Sequence, residues 1–228
     1  DNAAGAVGVG AIGDGDTILS LGTSGVIFTS VDQFRSNPAS AVHAFCHALP
    51  KRWHLMSVML SAASCLDWAC RATNTKDVAA LLALAEADYD PASEVTFLPY
   101  LSGERTPHND ANARGALVGL SHDTARGEIA NAVLEGVAFG LADGFEALLS
   151  TGVSVDALSV IGGGSRSRHW GRILASSLQR PLIYREDAAV GPALGAARLA
   201  QFGHLGGDLS DVFAPPPVHA IIDPEPDL

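Results

Sequence analysis

Ile161-Gly162-Gly163-Gly164-Ser165-Arg166 is the stretch on which the reading of this chain turns. Residues 155–161 before the glycines are rich in Val and Ile and read as a buried strand. After them, Trp170, Ile173, Leu174 and Leu178 recur at helical spacing, so residues 167–179 read as an amphipathic helix. Three glycines at a strand-to-helix turn let the backbone come against a flat ligand with no Cβ in the way. They also sit where the first free N–H groups of a helix can meet an anion. A tight turn with no ligand is the other reading, and a lone Gly-rich turn does not choose between them.

Downstream, residues 181–185 read as a short strand. Val190-Gly191-Pro192 then leads into a helix through Leu199, with Pro192 near the first turn, where it is tolerated. Upstream, residues 125–149 read as one long helix with Thr124 as its N-cap. Within it Gly136, Gly140 and Gly144 recur every four residues, in line with Ala132. Each glycine there costs about 1 kcal/mol of helix propensity relative to Ala, which close packing against that face would explain.

Earlier still, residues 95–101 read as a strand running into the polar loop Ser102-Gly103-Glu104-Arg105-Thr106-Pro107-His108, and residues 115–120 as another short apolar segment. Residues 61–73 and 77–87 read as helices, and residues 41–49 and 52–58 as strands joined at Pro50-Lys51. Residues 17–21 and 26–30 read as a hairpin around Gly22-Thr23-Ser24-Gly25. The N–H groups and two hydroxyls of that loop also make a nest for phosphate oxygens. Residues 1–12 are small and weakly helical, with Asp1 as a cap and glycines and alanines suited to close packing. The second half alternates strand and helix, which predicts an α/β fold with a mostly parallel sheet and helices on its faces.

The chain has 228 residues, 47% of them apolar, enough to bury a substantial core. Its formal charge of −11 argues against nucleic acid or an anionic membrane as a partner. A small anionic ligand responds to local field and stays open. No apolar run approaches the roughly 18 residues of a spanning helix, and no signal peptide opens the chain. Three cysteines make no disulfide framework; Cys65 and Cys70 point to different sides of their helix, and reduced thiols in a cytoplasmic protein are the economical reading. The start at Asp1 without Met and the Pro-rich, acidic end (residues 214–228) suggest a piece of a larger protein.

There is no G-x-x-x-x-G-K-[ST], no G-x-G-x-x-G and no G-x-S-x-G, which sets aside P-loop, dinucleotide and nucleophile-elbow readings. His43-Ala44-Phe45-Cys46-His47 suggests a metal cluster at first, but on a strand Cys46 faces away from both histidines. No second ligand pair with zinc spacing appears, so polar atoms near a cleft or interface are expected there. Arg166, Arg168 and Arg172 form a local basic spot, either a solvated helix face or a contact with a nucleotide.

Taken in order, Asp1-Asn2-Ala3-Ala4-Gly5-Ala6-Val7-Gly8, Leu21-Gly22-Thr23-Ser24-Gly25, Leu98-Pro99-Tyr100-Leu101-Ser102-Gly103-Glu104-Arg105-Thr106-Pro107 and Gly162-Gly163-Gly164-Ser165-Arg166-Ser167 with Trp170 strongly resemble the C-terminal half of FGGY carbohydrate kinases. The resemblance runs from Asp1 to about Gln201 and is greatest to bacterial members acting on D-xylulose. It implies an actin/hexokinase-like ATPase fold, a mixed sheet flanked by helices, with two ribonuclease-H-like domains facing each other across a cleft and this chain as the second. The domain would span residues 1–203, with residues 204–228 as a tail, and the sugar-binding N-terminal half would be its partner.

The resemblance implies transfer of the ATP γ-phosphoryl group to O5 of D-xylulose with Mg²⁺. By position it makes Asp1 the catalytic base and Asn2 a sugar contact. Gly22, Thr23 and Ser24 become the phosphate loop, and Gly103 lies near the phosphates. Gly163, Gly164 and Ser165 cradle the adenosine. Arg168 stands where relatives often carry an Asn that touches the base. The isolated chain is then expected to bind ATP weakly and not to turn over; a homodimer is common in the family. Kinases for gluconate, glycerol or ribulose share the same ATP parts. An actin-like nucleotide-binding module without catalysis, or a purely structural domain, is the alternative of a different class.

Overall fold

The structure, a computed structural model, describes residues 1–186 and 191–226, and of Ser165 the backbone alone. Two strands open the sheet, β1 (Thr17–Leu21) and β2 (Gly25–Val31), followed by β3 (His43–Cys46) and β4 (Trp53–Met59). Later come β5 (Thr96–Leu98), β6 (Ala116–Val118), β7 (Leu158–Ile161), β8 (Leu182–Arg185) and β9 (Val218–Ile222). Seven of them form one sheet in the order β3-β4-β2-β1-β7-β8-β9, while β5 and β6 pair separately. β1, β2, β3 and β4 join antiparallel, β7 and β8 continue parallel to β1, and β9 closes antiparallel. The five central strands β4-β2-β1-β7-β8 are thus the mixed, ribonuclease-H-like core that the resemblance implies, where alternation alone pointed to a mostly parallel sheet.

Helices cover both faces. α1 (Asn2–Gly8) and α6 (Gly191–Leu205) lie on one; α2 (Ser64–Ala72), α4 (Arg126–Leu149) and α5 (Arg168–Leu178) lie on the other, with α3 (Val78–Ala87) packed outside α4; a short α7 (Leu209–Val212) follows α6. Alternation along the strands divides the core. Ile18, Val26, Phe28 and Val58 face Ala6 of α1 and Val9 just after it, whereas Leu19, Leu21, Ile27 and Met59 face the α4 side. With both faces covered, β1 and β2 are buried almost without a break, and their buried hydroxyls are paired, Thr17 with Thr29 and Ser30 with the Ala11 carbonyl.

The glycines of α4 serve packing. A Cβ on Gly136 would stand 2.2 Å from the Phe97 carbonyl oxygen, one on Gly140 3.1 Å from Met59 Cε, and one on Gly144 2.1 Å from Ser57 Oγ. The helix is pressed against β4 and β5 along that stripe. Trp170 Nε1 donates to the Leu134 carbonyl (3.1 Å) and ties α5 to α4. Asn131 bridges three helices, donating to the Ala85 carbonyl (2.6 Å) and meeting His169 Nε2 (3.0 Å).

Several boundaries differ from expectation. Ala125 rather than Thr124 caps α4, because Glu128 Oε2 accepts from the Ala125 N–H (2.7 Å) while Thr124 turns back to Ser121. β3 is shorter than residues 41–49: Ala41 is left-handed (φ 53°) after a 3-10 turn, and His47 leaves the strand. His47 is buried, meeting Ser30 Oγ at 3.3 Å and accepting from Leu49 N at 3.0 Å. α6 continues past Leu199 to Leu205, and the expected lead-in at Val190 lies outside the described residues. Residues 204–228 were set apart as a tail, yet β9 pairs with β8 and Phe213 is fully buried with Val7 and Leu49. Pro215-Pro216-Pro217 keeps the chain extended up to Val218, and an edge strand tolerates such an entry. Among the described residues no helix is long and apolar enough to cross a membrane, and all three cysteines are free.

Candidate functional site

The two glycine turns end adjacent parallel strands. Ser20 of β1 is level with Ile161 of β7, so Gly22 and Gly162 leave the sheet side by side at its carboxyl-terminal edge. In sheets with such parallel strands this edge is where ligands are held.

The first turn is fixed from behind. The Thr23 carbonyl accepts from Ala62 N (3.0 Å), Ser64 N (3.3 Å) and Ser64 Oγ (2.9 Å), and the Gly22 carbonyl accepts from Ala63 N (3.0 Å). Apart from the Ser64 hydroxyl, these donors are backbone N–H groups just before and at the start of α2, where no helical partner is available to them. A trans peptide points its N–H opposite to its C=O. With both carbonyls turned toward α2, the N–H groups of Thr23 and Ser24 face the open side. Neither makes a hydrogen bond among the described residues, and Thr23 is exposed. The result is two free donors beside two hydroxyls, a concavity suited to an anion.

The second turn folds onto the first. Gly162 has φ +93° and ψ 173°, a conformation nearly confined to glycine. A Cβ there would stand 2.7 Å from the Leu21 carbonyl oxygen, and one on Gly164 would stand 2.8 Å from Leu21 Cβ and 3.0 Å from the Trp170 ring. Gly162 and Gly164 are therefore required for packing on the end of β1. Gly163 differs: nothing lies within 4 Å of a Cβ built on it. The helix α5 does not begin at the glycines as expected. One 3-10 turn, Gly163–Arg166, intervenes, and Ser167 caps α5 through Trp170 N (3.2 Å). The side chain of Ser165 lies outside the described residues.

Asp1 is exposed at the N-cap of α1, and its side chain makes no capping bond, contrary to the cap expected of it. Val9 to Ile12, just beyond α1, line a hollow with Asp156 and Ala157 at the start of β7. Gly5 rests on Ile18 and on Ile161, the last residue of β7. The helix, about 10 Å long, therefore runs against β1 and β7. Asp1 stands at its end nearer the glycine turns, with half-buried Asn2 beside it.

Gly103 is placed differently from the other site residues. It is buried, has φ +77°, donates to the Tyr100 carbonyl and packs on Ala111. What its loop brings to the site is Glu104, which the sequence reading passed over. Glu104 is 3% exposed; its Oε1 accepts from Leu60 N (3.0 Å) and Arg105 N (2.6 Å). Burial pushes its carboxyl above the ordinary range. The one sequence sign was a charged residue between Gly103 and Pro107, and charge alone does not announce burial.

The basic spot divides. Arg172 is held by both oxygens of Glu225 (2.5 and 2.6 Å), while Arg166 and Arg168 are exposed and line a hollow with Tyr184 and His219. A larger hollow of about 590 Å³ lies at the opposite edge of the sheet, around Asp14, Asp16, Asp156 and Arg185. Three of its charges are engaged internally: Asp14 accepts from Asp32 N, Asp16 accepts from Ile12 N and Gly13 N, and Arg185 donates to Ser159 and the Pro216 carbonyl. The glycine turns remain the better site on chemistry. Among the described residues no group of three His, Cys, Asp or Glu converges as a metal cage.

Residues 17–204 match the family model for the FGGY family of carbohydrate kinases, C-terminal domain. The chain is 56% identical over 201 residues to the xylulose kinase of Escherichia coli strain K12, covering 88% of this chain and 42% of that protein. Its structure is similar to that of a xyloylose kinase from Brucella ovis (TM-score 0.94, 45% identity, 99% of this chain and 46% of that one). It is also similar to a gluconate kinase from Lactobacillus acidophilus (TM-score 0.86, 30% identity, 98% of this chain and 46% of that one). The chain thus spans less than half the length of the curated relatives it matches.

Proposed function

Because this chain belongs to the FGGY family of carbohydrate kinases, as its C-terminal domain, we propose that it is the nucleotide-holding half of an ATP-dependent D-xylulose kinase. The reaction is transfer of the γ-phosphoryl group to O5 of D-xylulose, giving D-xylulose 5-phosphate. The observation that carries this reading is the pair of outward N–H groups at Thr23 and Ser24, beside a second glycine turn that leaves open space at Gly163.

Phosphoryl transfer asks chiefly for positioning and charge stabilisation. The 22–24 turn takes phosphate oxygens through N–H and hydroxyl donors. Gly163 and Gly164 offer a flat backbone surface to the adenosine, and Arg168 lies beside it. Asp1 accepts the proton of the sugar hydroxyl as it attacks, and Asn2 orients the sugar. Mg²⁺, if carried in with the nucleotide, would supply charge neutralisation at the phosphates, and Asp1 is the carboxylate of this chain whose chemistry would suit holding it. The remaining length of the relatives corresponds to a second half that supplies the other wall of the cleft and most sugar contacts. Closure of that cleft excludes water as a competing acceptor.

The similarity to a gluconate kinase supports one alternative acceptor on the same nucleotide site. A coupled ADP-release assay of the intact kinase against xylulose, ribulose, gluconate and glycerol decides between them. Xylulose is expected to give the highest kcat/KM, and preference for gluconate would replace it as substrate.

A further inference from the structure

The chain of contacts behind the 22–24 turn begins at Glu104. Its Oε1 accepts from Leu60 N at 3.0 Å, at the exit of β4, and the next residues, 62–64, supply the donors that hold the Gly22 and Thr23 carbonyls. The loop carrying Glu104 is itself stitched to β4: Thr106 N donates to the Val58 carbonyl (3.1 Å), and Thr106 Oγ1 accepts from Val58 N (3.1 Å) and donates to the Ala41 carbonyl (3.0 Å). The Glu104 backbone pairs with Asp110 in both directions. A carboxylate so anchored is a fixed acceptor rather than a surface charge. Its other oxygen, Oε2, is buried and has no hydrogen-bond partner among the described residues. An unmatched buried oxygen is costly, and a neutral loop acceptor such as a backbone carbonyl would avoid it. Its presence indicates that the carboxylate does something more than fill space.

We propose that Glu104 is a positioning residue for the nucleotide: through Leu60 and residues 62–64 it sets the orientation of the Thr23 and Ser24 N–H groups. The inference rests on reading the 22–24 turn as the phosphate-holding element. It assigns Glu104 to the ATP side of the reaction and not to the sugar side.

Three variants of the intact kinase test it. Glu104→Leu removes the acceptor for Leu60 N and is expected to raise KM for ATP about tenfold or more, with KM for the sugar changed less than twofold. Glu104→Gln keeps an acceptor and is expected to raise KM for ATP less than threefold. Ser64→Ala removes one exposed bond to the Thr23 carbonyl without touching the core, and is expected to raise KM for ATP about two- to fivefold by the same route. Amide hydrogen exchange over residues 22–25 and 60–64 is read in parallel. It should quicken in Glu104→Leu and stay near wild type in Glu104→Gln. If Glu104→Leu does not fold, Glu104→Asp, whose shorter side chain withdraws the acceptor from Leu60 N, takes its place with the same expected changes. Equal rises in both KM values, a loss of active enzyme with unchanged KM for ATP, or unchanged exchange over residues 22–25 would each overturn the proposal. A wild-type enzyme without ATP-dependent phosphorylation would instead defeat the kinase reading, and the exchange data would still judge Glu104.

Discussion

Leu21 and Gly164 are in such close contact that a Cβ on the glycine would stand 2.8 Å from that of the leucine. This contact sets the second turn against the first. Gly164→Ala is therefore expected to destabilise the fold by about 1–3 kcal/mol through overpacking. Gly163→Ala, with nothing within 4 Å, is expected to leave the urea midpoint unchanged yet weaken binding of an ATP analogue. Chemical denaturation and calorimetric titration of both variants check the pair. A stability loss at Gly163 would mean that its surroundings are packed rather than open.

Helix propensity and packing pull opposite ways in α4. Gly136→Ala gains about 1 kcal/mol of propensity, but its Cβ meets the Phe97 carbonyl oxygen at 2.2 Å, and backbone does not yield cheaply. A net loss of about 1–3 kcal/mol is expected. Gly203→Ala in α6, with nothing within 4 Å, should instead gain about 0.5–1 kcal/mol. Thermal melts of both variants should move in opposite directions.

Buried histidines give the fold an acid-sensitive side. Burial lowers both His47 and His54 from 6.5 to about 4, and for His54 the neighbouring His47 adds to it. His54 stacks on Phe28 (4.4 Å between ring centroids), with Phe45 and His47 near, and its Nδ1 is buried without a partner among the described residues. Above pH 6.5 both histidines are neutral folded or unfolded, and stability is fully present. As pH falls from about 6.5 to about 4 the unfolded chain takes up protons that the folded one refuses. Stability then drops by up to about 1.4 kcal/mol per pH unit for each histidine. Urea midpoints at pH 7, 5.5 and 4.5 should show this slope, and His54→Phe should reduce it by one proton's share.

Asp1 carries the proposed proton transfer. Asp1→Asn in the intact kinase is expected to lower kcat by about 10²–10⁴ while nucleotide affinity is kept. Single-turnover rates with a fluorescent ATP analogue as binding reporter separate the two effects. Retained turnover would remove Asp1 from the chemistry.

Much of this was legible before the structure. Periodicity located α4, α5 and the buried strands, because apolar spacing reports burial directly. The hairpin at residues 22–25 and the turn at residues 162–164 were visible because glycine marks backbone that other residues resist. Three features were not. Strand pairing across 130 or more residues, such as β1 with β7, leaves no local trace. The role of Glu104 depends on which N–H groups it meets, and that is set by a loop folding back on β4. The place of β9 was hidden by the prolines before it and the prolines and acids after it, which resemble a tail until the strand finds β8.

The account stands on one nucleotide bridging the two turns. Hydrogen exchange of the intact kinase, with and without a non-hydrolysable ATP analogue and Mg²⁺, tests it most directly. The account predicts that residues 22–25 and residues 162–166 slow together on binding, while residues 9–16 at the far edge of the sheet do not change. Protection confined to the far edge, or to one turn without the other, would contradict it.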